Sequence, residues 1–104
     1  MTPQELYDTI LKLDPFKSPT NELWASIYKN RTLTDIYSAT WIYREKDKIR
    51  SCIDELEALE NKYNVHIDGE CCAREIYINP HVQVYTYEQV ENAEKLLLKN
   101  GISL

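Results

Sequence analysis

Glycine and proline are scarce in this chain of 104 residues, at two and four, and phenylalanine and methionine occur once each. Two isolated glycines cannot build a P-loop or a G-x-G-x-x-G phosphate cradle, and so few breakers exclude a collagen-like or linker-rich chain. No apolar run approaches the roughly 18 residues of a membrane span. The opening MTPQELYDTILKLD lacks the basic start and apolar run of a secretory leader. Cysteines are few and odd in number: Cys52, Cys71 and Cys72. An odd count with an adjacent pair implies no disulfide framework, so a reducing cytoplasm is the expected setting. Positive charge is also in deficit, at 12 Lys and Arg against 17 Asp and Glu, a net of −5. Residues 1–50 carry eight cations and seven anions (+1), whereas residues 51–104 carry four and ten (−6). Such a field repels a phosphate backbone and attracts a basic protein surface. Neither direct nucleic-acid binding nor a membrane role is expected.

What the chain does contain is enough apolar residue, 43%, for one core. A single domain over 1–104 is expected, helical to residue 63 and strand-rich from 64. Thr2-Pro3-Gln4-Glu5 is a helix start with a threonine cap and proline at the first position, and Leu6, Ile10 and Leu13 form one face of a helix over about 3–13. Thr20 or Ser18 caps a second helix carrying Leu23, Trp24, Ile27 and Tyr28 to about residue 30. Thr32 or Thr34 can cap a third, and no glycine or proline follows until Gly69. Ile42, Ile49, Leu56 and Tyr63 recur every seven residues there. Unbroken from 34 to 63, that helix is about 45 Å long, against a radius of gyration of about 13 Å for a compact chain of this length. It must therefore break near Arg44 to Lys48 or project. A continuous helix that forms a homodimer through Ile42, Ile49, Ile53 and Leu56 is the reading adopted.

From Val65 the period turns to two. Val65 with Ile67, then Cys72, Ile76 and Ile78, then Val82 with Val84 suggest three strands, separated by Asp68-Gly69 and Asn79-Pro80-His81. Thr86 and Gln89 open a last helix with Val90, Ala93, Leu96 and Leu97 inward, closed by Asn100-Gly101-Ile102 as a glycine cap. The expected fold class is thus α+β: two short N-terminal helices, one long helix, a three-stranded antiparallel meander and a C-terminal helix, with the helices on one face of the sheet.

No constellation demands catalysis. His66, Cys71, Cys72 and His81 are competent zinc ligands within sixteen positions, but adjacent cysteines on a strand aim at opposite faces, unlike a C-x2-C knuckle. A metal- or small-molecule-binding protein built on them is the rival reading, and no cofactor or catalytic residue is assigned. The run Asp54, Glu55, Glu57 and Glu60 reads as a solvated helix face and opposes docking of that helix in a DNA groove. Eight tyrosines against one phenylalanine are the more informative feature, because a ring with a hydroxyl favours a rim or an interface over a dry core. Tyr77 and Tyr85, with His66, Glu75 and Gln83, would form an amphipathic sheet face of the composition that recognition surfaces favour. The expected function is a non-enzymatic protein-binding module. It would be a small acidic inhibitor or accessory protein that occludes a basic surface on another protein. Richness in residues with A/T-rich codons suggests a phage or mobile-element origin and an anti-defence target, in the broad manner of anti-CRISPR proteins.

Overall fold

The computed structural model describes residues 1–66, 76–79, 81–84 and 86–104, with the backbone alone for 76–79 and 83–84. Five helices dominate: α1 (Pro3–Lys12), α2 (Asn21–Tyr28), α3 (Arg31–Arg44), α4 (Lys46–Tyr63) and α5 (Tyr87–Lys99). Strands β1 (Ile76–Asn79) and β2 (Val82–Val84) pair antiparallel, with Ile76 opposite Val84, Tyr77 opposite Gln83 and a bulge before Asn79. The α+β class is therefore corrected to an all-α fold. Val65 and His66 lie in coil, and among the described residues the strands form one two-stranded hairpin with no third strand beside it. The physical reason is area: the seven strand residues described do not present a face wide enough to be a layer, so helix packs on helix.

The hub is α3, which packs against α1, α2 and α5 and receives β2. Leu33, Ile36, Tyr37, Thr40 and Trp41 recur at the i, i+3, i+4, i+7, i+8 spacing of one helical stripe, and all are buried. Around them close Leu6 and Ile10 of α1, Leu23 and Ile27 of α2, Val90, Ala93 and Leu97 of α5, and Val82 of the hairpin. Thr40 is admitted to this core because its hydroxyl donates to the Ile36 carbonyl at 2.6 Å.

Local chemistry sets the helix ends. The Thr2 hydroxyl accepts from the Glu5 amide at 3.2 Å and the Thr20 hydroxyl from the Leu23 amide at 3.2 Å. The start of α3 falls earlier than Thr32 or Thr34, because the Asn30 side chain accepts from the Thr32 amide at 2.8 Å. Thr86 stands at the N-cap of α5 without a side-chain cap bond. At the far end Gly101, with φ of +76°, lets the Ile102 amide reach the Leu97 carbonyl and its own amide the Leu98 carbonyl, folding buried Ile102 back on the helix.

The long helix is not continuous. Glu45 sits at φ −100°, ψ 12° between α3 and α4, although its amide still donates to the Trp41 carbonyl and its carbonyl accepts from the Ile49 amide, so the junction is a kink and not a loop. Its carboxylate is buried there, 3.2 Å from Lys48 Nζ and 3.9 Å from Arg44 Nε. Arg44 Nη1 reaches back to donate to the Ile10 and Leu13 carbonyls at 2.9 and 2.5 Å, tying the last turn of α1 to the kink. Past Ile49 and Ile53 the residues of α4 are mostly exposed, Leu56 and Glu60 being half-buried. The radius of gyration is 15.6 Å and the extents 50 × 27 × 23 Å, longer than a compact chain of this length.

Candidate functional site

Where α5 begins beside α4, the two helices are pinned by one hydroxyl. Tyr87, the first residue of α5, donates to the Asp54 carboxylate of α4, with the Arg50 carbonyl 3.3 Å away as a second acceptor. The phenol is pushed up to about 12, first by that hydrogen bond, then by desolvation and the negative charges of Asp54 and Glu57, with Arg50 acting the other way. The shift reports mainly the hydrogen bond to Asp54, with the nearby carboxylates contributing less. Asp54 and Glu57 of α4 and Glu88 and Glu91 of α5 are all exposed on these two helices, one turn apart in each. Chemically, the seam can attract cations and accept hydrogen bonds from a basic side chain.

A second feature is aromatic. Trp24 stacks on Tyr28 at 5.2 Å, Tyr37 lies 5.1 Å from Trp24, and the His81 ring stacks on Trp41 at 4.7 Å. His81 stands in the hairpin turn, with Nδ1 3.3 Å from the Tyr37 hydroxyl and Nε2 3.4 Å from the Lys17 carbonyl. A carbonyl only accepts, so at Nε2 the ring is the donor, and Nδ1 meets the Tyr37 hydroxyl. Burial raises the Tyr37 pKa, in keeping with its role as a donor here. Histidine thus fastens the hairpin to α3. The Trp41 ring is held by packing, by the stacked His81 ring and by the Arg44 guanidinium 5.1 Å from its centroid.

The residues singled out from the sequence fall in different places. Tyr77 and Gln83 are register partners in the hairpin. Glu75, Tyr85, Cys71 and Cys72 lie outside the described residues. His66 follows the end of α4, exposed, with Nδ1 3.1 Å from a Glu60 carboxylate oxygen. The two histidines are thus engaged in separate settings, one past the end of α4 and one against α3. Among the described residues no group of three or more His, Cys, Asp or Glu could hold a metal ion. Of the proposed dimer seam, Ile49 and Ile53 are buried in the chain's own core, Ile42 packs against it, and Leu56 is half-buried. Ile49 and Ile53 thus serve the chain's own core, leaving Leu56 as the more accessible residue of that seam.

Sequence reasoning missed the pairing of Tyr87 with Asp54, since both had a local explanation, one beside a helix cap and one in an acidic run. The available signal was Asp54 and Glu57 at i, i+3 on a helix also carrying inward Ile53. No helix among the described residues is long and apolar enough to cross a membrane. No protein-family model, curated protein or solved structure matches the chain.

Proposed function

We propose that this chain is a non-enzymatic protein-binding module, a small cytoplasmic inhibitor or accessory protein that covers a basic surface on another protein. The observation that supports this most is the acidic seam of α4 and α5, where Tyr87 is pinned to Asp54 and Glu57, Glu88 and Glu91 stand exposed. Carboxylates grouped on a rigid pair of helices speed encounter with a basic partner and disfavour acidic ones. Tyr77 and Tyr85 are proposed as anchors buried in the partner's surface, each costing about 2 kcal/mol of affinity on replacement by alanine.

Affinity capture from the native cells tests the seam, using the wild type beside a Glu57→Lys, Glu91→Lys variant with unchanged helicity and melting temperature. Both positions are exposed, so folding should survive. A partner retained by the wild type, released by rising salt and lost from the variant supports the reading. Identical capture by both proteins overturns it.

A further inference from the structure

The face of α4 away from the acidic seam carries a different pattern. Leu59 is 45% exposed and Tyr63 61%, on a helix whose earlier apolar residues are buried. Glu55, Leu59 and Lys62 follow at i, i+4, i+7, so they lie along one stripe, and with Ala58 they line a shallow depression. Among the described residues neither Glu55 nor Lys62 joins an ion pair; Lys62 Nζ lies 5.1 Å over its neighbour, the Tyr63 ring. An exposed leucine thus stands between an anion one turn before it and a cation one turn after it.

We infer that this face takes a second copy of the same chain, the two α4 helices packing antiparallel about a two-fold axis near Ala58. A two-fold axis across a helix exchanges its ends. It brings Glu55 of each copy to Lys62 of the other, making two reciprocal ion pairs, and sets Leu59 against the small side chain of Ala58 and the half-buried Leu56. Parallel pairing would instead oppose Glu55 to Glu55 and Lys62 to Lys62. The charge pattern is therefore self-complementary in one orientation only. Leu56, Leu59 and Tyr63 supply the alternating three- and four-residue spacing that an antiparallel seam needs. Asp54 and Glu57 lie on the other side of the helix and stay open, so this inference stands or falls independently of the acidic seam. The patch is only about three turns long, well short of the roughly 800 Å² per partner of a stable interface, and so the dimer is weak and concentration-dependent.

Sedimentation equilibrium of the full chain from micromolar to millimolar concentration tests this. The apparent mass should rise from 12.3 kDa towards the dimer, and Leu59→Asp should hold it at the monomer with unchanged circular dichroism. Glu55→Lys and Lys62→Glu should each weaken association about tenfold or more, because each opposes like charges twice. The double variant Glu55→Lys, Lys62→Glu should recover it, and so should an equimolar mixture of the two single variants. A wild type that stays monomeric throughout overturns the proposal, as does a dimer indifferent to the single reversals or not restored by the double one.

Discussion

Within α4, Ile49 and Ile53 are buried against the body of the molecule, whereas Leu59 and Tyr63, one to three turns further along the same helix, are about half exposed. Both stretches are amphipathic, and both obey the spacing of an apolar stripe. What separates them is what lies opposite. The first turns are held close by the buried Glu45 junction and by the Tyr87 contact at Asp54, and beyond those the helix runs past the end of its own core. Periodicity tells which side of a helix is apolar, and the neighbouring elements decide whether that side is a core or a surface.

The sharpest way to break this contrast is to truncate side chains on each side of it. Trp41→Ala should cost about 3–5 kcal/mol and Ile49→Ala about 2–5 kcal/mol in urea unfolding, since both are fully buried. Leu59→Ala, measured at a concentration where the chain is monomeric, should change stability by less than about 0.5 kcal/mol. A Leu59→Ala cost equal to that of Ile49→Ala would erase the distinction between the two halves. The junction itself is probed by Arg44→Met, which keeps the apolar stem over Trp41 but strips the Ile10 and Leu13 carbonyls of their donor. About 1.5–3 kcal/mol should be lost. Among the caps, Thr20→Ala should cost about 1 kcal/mol, and Thr86→Ala much less, because only the Thr20 hydroxyl accepts a backbone amide.

Much of this architecture was legible in the residues. Thr2-Pro3, Thr20 and Gly101 marked helix ends through their own local chemistry, which needs no knowledge of the rest of the fold. The kink lay inside the stretch where the apolar seam lapses into Glu45 and Lys46. Less legible was the choice of seam. Ile42, Ile49, Leu56 and Tyr63 suggested an external partner because they recur over four heptads, while the denser stripe of Leu33, Ile36, Tyr37, Thr40 and Trp41 was the true centre of the core. Threonine and tyrosine disguise such a stripe, since their polar atoms are satisfied only after folding: Thr40 by its own helix and Tyr37 by His81. The strand region misled for a related reason. Alternation of apolar and polar residues is a local signal, and among the described residues it yields only a two-stranded hairpin, too narrow to make a layer. The acidic seam was hidden because its two halves, Asp54 and Tyr87, are 33 positions apart and meet only once α5 has docked.

That docking contact also gives the smallest predicted effect, and one with a definite sign. Tyr87 holds its proton to about 12, above the 10.0 of an unfolded tyrosine. Folded chains therefore bind more protons than unfolded ones between these values, and the contribution of the contact falls as pH rises through that window. It is fully present below pH 10 and gone above about 12. Tyr7 and Tyr37, whose phenols are also raised by burial, add to the alkaline slope of the wild type. They are equally present in Tyr87→Phe, so the difference between the two proteins isolates Tyr87. Urea midpoints of wild type and Tyr87→Phe should lie apart at neutral pH and converge across the alkaline window. A gap that persists unchanged to the top of that window would mean that the ring of Tyr87, and not its hydroxyl on Asp54, holds α5 against α4.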